Sequence, residues 1–206
     1  MDHAAPVACE SPGTERGQPD DAWLIAESGD FPERFGAVFD RHAPAIYGYI
    51  SRRLGPDAAD DLVAETFLVA FCRRDGYDRC QPSARPWLYG IATRLISRHR
   101  RDELRFFRAI ARTGIDPAAE PVADEACRRI DARALSRSLA AALSVLSDVD
   151  RDALLLITEG LGFEEAARAL NVPAGTLSSR VARARRKVRE ELAGAGLADR
   201  KEHGNG

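Results

Sequence analysis

The chain has 206 residues, of which 45% are hydrophobic and 30% are charged, and its formal net charge is −2. These values are ordinary for a soluble globular protein and exclude a generic polycation, so any nucleic-acid binding must come from local basic faces. The N-terminus has no apolar signal core, and no run approaches the length that spans a membrane, so we expect a cytoplasmic protein without membrane insertion.

Sequence motifs for catalysis and metal binding are missing from the chain. The four cysteines are widely scattered, and no Cys/His pairing has the spacing of zinc ligands. Cys72 falls on an apolar helical stripe, which predicts a small core residue. There is also no glycine-rich phosphate loop with its lysine and no GxSxG elbow. We therefore predict a protein that is not an enzyme and that holds no metal and no cofactor.

The first half of the chain has helical periodicity after a polar tail. Residues 1–20 are rich in proline, glycine and acids, which predicts a disordered tail. From Asp21 the pattern becomes helical, and an apolar stripe from Phe31 to Ile50 is expected to bend at Pro44. The turn at 55–57 places Asp57 to cap a helix over 58–74. The core stripe of that helix consists of Leu62, Val63, Phe67, Ala70 and Phe71.

The opposite face of the helix over 58–74 is acidic in its first turns. This acidic patch consists of Asp57, Asp60, Asp61 and Glu65. Carboxylates near a helix N-terminus are stabilised by the helix dipole, so helix stability alone explains the patch. A partner-binding role is equally open from the residues themselves.

A polar loop over 75–86, with Tyr77 as its one aromatic residue, precedes a basic helix that begins near Trp87. Trp87 is predicted to be a core anchor, because the residues four and eight positions later are apolar. Arginines recur three or four residues apart on the outer face, at Arg94, Arg98, Arg101 and Arg105. Few acids lie beside them, which favours a polyanionic partner.

Residues 112–124 contain two prolines, a glycine and acids, which predicts a linker. We therefore divide the chain into a helical domain over 21–110, a linker over 111–129, a second helical domain over 130–195 and a tail over 196–206. In the second domain Asp148 or Asp150 is placed to cap a helix over 151–159. No stretch has the pattern of a strand. The prediction is an all-α fold of two small helical domains joined by a flexible linker.

Residues 163–189 have the pattern of a helix-turn-helix. They read FEEAARALNVPAGTLSSRVARARRKVR. A short first helix should end before Pro173, because the residue before a proline disfavours the helical conformation. In the second helix apolar residues share one face, arginines and a lysine occupy the opposite face, and no acid occurs between Asn171 and Arg189. This pattern favours a recognition helix for the major groove over a merely solvated basic helix.

Three stretches taken together resemble the sigma-70 family, in its small extracytoplasmic-function (ECF) branch. They are AADDLVAETFLVAF (58–71), ARPWLYGIATRLISRHRR (84–101) and the segment over 146–188. The resemblance implies a bacterial transcription initiation factor, in which residues 21–110 bind the −10 promoter element and residues 130–195 bind the −35 element. The implied partners are promoter DNA, the beta-prime coiled coil and beta flap of core RNA polymerase, and an anti-sigma factor of the kind that clamps both domains together.

The resemblance also implies roles for individual residues. The residues matched to core polymerase docking are Asp60, Asp61 and Glu65. The loop over 75–86 matches the segment that captures a flipped base, with Tyr77 as a wall, and the backbone of the opening duplex would lie on Arg94, Arg98 and Arg101. Base edges or phosphates would be contacted by Thr176, Ser178, Ser179, Arg180 and Arg183. Phosphates would be contacted by Arg186, Lys187 and Arg189.

The sequence departs from the family pattern at four positions. Ala64 replaces a usual glutamine and Ser178 a usual lysine, while Gly90 and Thr93 stand where basic residues are common. These departures predict weaker non-specific DNA affinity or an unusual promoter. Two other functions are open: a stand-alone helix-turn-helix regulator, which would bind duplex operator by itself, and a helical adaptor without DNA binding, whose arginines would only be solvated.

Overall fold

The computed structural model describes residues 19–114 and 126–194, and every regular element in these ranges is helical. The α-helices are α1 (Asp21–Glu27), α2 (Phe35–Leu54), α3 (Pro56–Cys72), α4 (Arg85–Arg98), α5 (Arg100–Thr113), α6 (Ala126–Ser144), α7 (Asp148–Thr158), α8 (Phe163–Leu170) and α9 (Ala174–Gly194). The predicted all-α fold is confirmed. No helix in the described ranges is long and apolar enough to cross a bilayer. The predicted tails up to residue 18 and over 196–206, and residues 115–125 of the predicted linker, lie outside the described residues.

The N-terminal half comprises α1 to α5. It is built on the long helix α2, which packs against α3 and α4. α2 runs as one helix through Pro44. Edge-to-face pairs of aromatic rings join it to α3, with centroids 5.4 Å apart for Phe35 and Phe71 and 4.8 Å apart for Phe39 and Phe67. Such rings bury large apolar areas and set the spacing of the two helices.

Two local predictions for α3 are wrong. The N-cap is Gly55, which has a φ of 91°, and Pro56 occupies the first helical position, so Asp57 lies inside the first turn. Proline suits that position because its missing N–H would have no partner there. Cys72 ends the helix and is exposed, because the chain leaves the core there and enters the polar loop.

The single basic helix predicted from Trp87 onwards is two helices. α4 ends at Arg98, and α5 starts at Arg100 after His99, which has φ −102° and ψ 23°. The new direction buries Glu103 on α5. Arg101 and Arg105 therefore lie on a different helix from Arg94 and Arg98. Local periodicity misses this break because the burial of α5 depends on distant residues.

The C-terminal half comprises α6 to α9. In it α7, α8 and α9 pack together, and α6 packs against α9. The cap of α7 is Ser147, whose hydroxyl accepts a hydrogen bond from the Asp150 N–H, so the prediction of Asp148 or Asp150 as the cap is wrong. Asp150 is instead buried. Leucines recur every four residues along α6, and they are only partly covered: Leu143 is buried, whereas Leu135 and Leu139 are exposed.

The two halves contact each other directly. α8 lies against α4, and α6 lies against α5. Buried residues of α8 and α9, such as Ala169 and Leu177, belong to the same apolar cluster as Tyr49 and Leu88 of the N-terminal half. A second, smaller cluster joins Phe107 of α5 to apolar residues of α6 and α9.

Candidate nucleic-acid and partner interfaces

The helix-turn-helix predicted over 163–189 is formed by α8 and α9. Asn171 follows α8 with a φ of 53°, a left-handed conformation that asparagine tolerates better than most residues. The carbonyl group of Pro173 then accepts the N–H groups of Thr176 and Leu177, which starts α9. The turn therefore follows from local sequence, and the predicted break before Pro173 is confirmed.

The candidate base-reading residues lie together on the first turns of α9. Ser178 and Ser179 are exposed, and Thr176 and Arg180 are half-buried. The Ser179 hydroxyl donates to the Thr176 carbonyl over 2.9 Å. The opposite side of the helix is buried through Leu177 and holds α9 on its own half of the protein.

The other α9 candidates differ in how they are held. Arg183 donates from Nη1 to Oδ1 of Asp150 over 3.0 Å, and this carboxylate is 1% exposed at the start of α7. Arg183 thus ties α9 to α7, a partner that helical spacing does not reveal. Arg186 lies 3.8 Å from Glu190, one turn later, and Lys187 is half-buried.

The acidic patch is accessible along α3. Asp60 and Asp61 are exposed, and Glu65 is half-buried with Oε1 3.2 Å from Nη1 of Arg98. Leu68 is 62% exposed and follows Asp61 by seven residues, so it extends the same helical face. The sequence analysis missed Leu68, although an apolar residue on a charged helical face is the signal for a contact surface.

The basic face predicted on one helix is distributed over α4 and α5. Arg94 and Arg98 are exposed on α4, whereas Arg101 is exposed on α5. Partial burial and the nearby charge of Arg73 lower the pKa of Arg94. Positive charge is therefore concentrated where α4 faces the end of α3.

A row of arginines continues along α5 beyond the predicted face. Its members line a groove between α5 and α6 and are Arg101, Arg105, Arg108 and Arg112. They recur at intervals of four, three and four residues, so they share one helical face. Arg105 donates to the Asp102 carboxylate over 2.9 Å. The α5 arginine row was missed beyond Arg105, although the same spacing rule finds it.

The loop over 75–86 forms a cavity of about 450 Å³ together with α4 and α8. Tyr77 is buried, its hydroxyl donates to the Gln81 carbonyl over 2.7 Å, and burial raises its pKa. Its ring lies 5.0 Å from that of Trp87, centroid to centroid. Trp87 is half-buried: it packs against the apolar core, as predicted, and it also lines the cavity. Arg168 of the C-terminal half also lines the cavity.

Comparison with known proteins decides the family. The sequence family Sigma-70 region 2 matches residues 38–106, and the sequence family Sigma-70, region 4 matches residues 136–188. The RNA polymerase sigma factor CarQ of Myxococcus xanthus is 33% identical over 165 residues, which cover 78% of this chain and 90% of CarQ. The chain belongs to the sigma-70 family.

More specific relatives place this sigma factor in the ECF branch. The ECF RNA polymerase sigma factor SigC of Mycobacterium tuberculosis is 34% identical over 146 residues, which cover 68% of this chain and 73% of SigC. Among solved structures, the sigma factor RpoE in complex with the anti-sigma factor NepR from Bartonella quintana is 25% identical, with a TM-score of 0.51, and the match covers 80% of this chain and 97% of RpoE. The protein is an ECF RNA polymerase sigma factor, and neither alternative function is favoured.

Proposed function

We propose that residues 21–110 of this sigma factor bind core RNA polymerase and the −10 element, and that residues 130–195 bind the −35 element. The observation that carries this division is that one chain presents an exposed recognition helix, α9, and a separate exposed basic face on α4 and α5. A single duplex reader needs only the first surface. Two surfaces suit two promoter elements, and tethering raises the effective concentration of the second contact.

The acidic patch is proposed to dock on the beta-prime coiled coil of core polymerase. Asp60 and Asp61 project into solvent, and Leu68 adds an apolar contact on the same face of α3. Carboxylates that only served the helix dipole would belong in the first turn of α3, where Asp57 lies, whereas Asp60, Asp61 and Glu65 lie further along the helix. The C-terminal half is proposed to bind the beta flap.

Promoter opening is assigned to the loop over 75–86 and the arginines beside it. A base flipped out of the duplex needs stacking and edge hydrogen bonds to offset a cost of a few kcal/mol. The loop cavity offers the ring of Tyr77, the ring of Trp87 and polar side chains. Arg94, Arg98 and the α5 arginine row, which includes Arg101, supply charge for the phosphate backbone.

Base reading at −35 is assigned to the first turns of α9, since the N-terminal residues of a recognition helix enter the groove. Thr176, Ser178, Ser179 and Arg180 are the candidates there, and Arg186, Lys187 and Arg189 serve phosphates further along. Arg183 has a divided role, because one of its N–H groups is held by Asp150.

The polymerase performs the chemistry of transcription, and we propose that this chain contributes no catalytic group. It acts in the cytoplasm beside the polymerase and is held inactive by an anti-sigma factor.

The experiment that tests the proposed function is run-off transcription with purified core polymerase on promoters that are mapped after overexpression of the chain. Initiation at those promoters supports the proposal. A chain that neither binds core polymerase nor directs initiation contradicts it, and tight operator binding by the free chain would favour a stand-alone regulator.

A further inference from the structure

Asp21 is a buried carboxylate in the first turn of α1. Its side chain is 2% exposed, yet it does not cap the helix, because the cap is Asp20, whose Oδ1 accepts the Trp23 N–H over 2.7 Å. A buried charge destabilises a protein unless other groups pair with it. The role of the Asp21 carboxylate must therefore be sought in its contacts with the rest of the fold.

Three groups from other parts of the chain converge on this carboxylate. On α2, Arg41 donates from Nη1 to Oδ1, and His42 Nε2 lies 2.7 Å from Oδ2. The backbone N–H of Ala84 donates to Oδ2 over 2.7 Å. The α2 residues hold the carboxylate in place, and the bond from Ala84 connects it to the loop over 75–86.

A second hydrogen bond joins Asp21 to the same loop. Its backbone N–H donates to the carbonyl oxygen of Pro82 over 3.1 Å, so the main chain and the side chain of one residue hold two positions of the loop. α1 also packs against the turn at Arg74–Gly76, where the loop begins. α1 therefore supports the loop at both ends.

The positions that Asp21 holds lie between the two aromatic walls of the loop cavity. Ala84 is buried and directly precedes α4, whose first turn carries Trp87. At the other wall the Tyr77 hydroxyl donates to the carbonyl oxygen of Gln81. Burial, and after it the negative charge of Asp21, raise the pKa of that hydroxyl. A shift of the Ala84 backbone would therefore change how the two rings face each other, at their present centroid distance of 5.0 Å.

We propose that Asp21 is a positioning residue for −10 recognition. Through Pro82 and Ala84 it fixes the loop over 75–86 in the conformation whose cavity holds a flipped base. This inference rests on the proposed function, in which that cavity captures the base. A pocket that is already in its binding conformation loses no affinity to the ordering of a flexible loop, so base discrimination depends on this support.

The test compares Asp21→Ala with Arg41→Ala. Asp21→Ala removes the acceptor of the Ala84 N–H. Arg41→Ala removes another partner of the same carboxylate, which keeps its bonds to His42 and Ala84. Arg41→Ala is the matched control, because it weakens the contact between α1 and α2 without removing the bond to the loop.

Hydrogen exchange on the full chain tests the support of the loop. Loss of a hydrogen bond to a charged group should raise the exchange rate of peptides that span the Ala84 amide about tenfold or more. We expect this increase for Asp21→Ala and not for Arg41→Ala. Peptides around the buried Ile50 of α2 are the internal reference. An unchanged rate at Ala84, or an equal increase around Ile50, would overturn the role of Asp21 in holding the loop.

Holoenzyme binding to single-stranded −10 oligonucleotides tests the positioning role. One set of oligonucleotides varies the base at the flipped position of a mapped promoter, and another oligonucleotide has an abasic site there. Asp21→Ala should lose about tenfold of the preference for the best base. Its affinity for the abasic oligonucleotide should equal that of wild type, because this oligonucleotide does not use the cavity. Arg41→Ala should retain the full preference.

The outcomes separate this inference from the proposed function. A base preference that Asp21→Ala retains in full would overturn the positioning role alone. Equal losses on the base-containing and abasic oligonucleotides would also overturn it, because they would reflect damage to the whole N-terminal half. If wild-type holoenzyme has no base preference at that position, the function proposed for the cavity fails and the positioning role fails with it, whereas hydrogen exchange still reports on the support of the loop.

Discussion

Arg53 and Asp152 are 99 residues apart in the chain, yet Nη2 of the arginine lies 2.6 Å from Oδ1 of the aspartate. Both side chains are buried where α2 meets α7. Arg53 also donates from Nη1 to the hydroxyl of Tyr49, and burial raises the pKa of that phenol to about 12. The contact joins the half assigned to −10 recognition to the half assigned to −35 recognition.

Glu103→Gln should destabilise the protein strongly, because it removes the negative charge that Arg53 and Arg151 share in a buried site. Breaking a buried ion pair from one side typically costs about 3–5 kcal/mol. Urea denaturation measures the change. The control is Asp102→Asn, whose side chain is 53% exposed beside Arg105 and which should change stability by less than about 1 kcal/mol. Equal effects of the two variants would show that the Glu103 charge is unimportant.

Asp21 should make stability depend on acid. Burial opposes its ionisation, but hydrogen bonds from His42 and from the Ala84 N–H, together with the charges of His42 and Arg41, lower its pKa below 3.8. The folded state therefore binds fewer protons, so the contribution is fully present above pH 5 and is lost as pH falls through the folded-state pKa. Asp21→Asn should cost stability at pH 6 and progressively less below pH 4, as measured by urea midpoints. The control Asp30→Asn changes an exposed carboxylate and should alter stability at pH 6 by less than about 0.5 kcal/mol. A constant loss for Asp21→Asn at every pH would refute this linkage.

Arg180→Ala and Arg186→Ala should differ in their effect on promoter choice. An arginine that pairs with a base edge contributes about 1–3 kcal/mol of discrimination, whereas a phosphate contact weakens all sequences alike. Holoenzyme binding to a library of −35 variants should show relaxed preference at one position for Arg180→Ala. Arg186→Ala should lower affinity uniformly. Identical, sequence-independent losses for both variants would contradict the assignment.

Arg108→Ala should reduce the salt dependence of promoter binding, because the α5 arginine row is proposed to contact phosphates. Each lost phosphate contact lowers the slope of log affinity against log salt by about 0.9. The control is Arg34→Ala. Arg34 directly precedes α2, and the far end of α2, which lies near α5, is about 30 Å away along the helix. The same slope for wild type and Arg108→Ala would exclude this row from the DNA interface.

Reversing Asp61 and Glu65 to lysine should weaken binding to core polymerase by about tenfold or more, since like charges would then face a positive docking surface. Asp61 is exposed and Glu65 makes only a partly exposed pair with Arg98, so the fold should be intact by circular dichroism. Glu33→Lys, on an exposed turn before α2, is the control. Unchanged core affinity in the double variant would remove the docking role from the acidic patch.

Local sequence determined the all-α class, the helix-turn-helix and the family of this protein, but it did not show the break at His99 between α4 and α5. The break before Pro173 and the one-sided charge of α9 are short-range features, and short-range steric and periodic rules are enough to interpret them. The three motifs in their order also sufficed for the sigma-70 assignment. Where capping was ambiguous, as at Ser147, neighbouring polar residues offered equally plausible caps and the prediction chose wrongly.

Only the tertiary structure decided how the two halves meet. Glu103 and Asp152 have the sequence pattern of ordinary surface charges, because helical spacing does not show which partner lies across a fold. Gly90 has the pattern of a lost DNA contact, whereas the structure places it where α8 needs an absent side chain. Contacts between residues far apart in the chain depend on the packing of whole helices. This packing brings two separately predictable domains into direct contact.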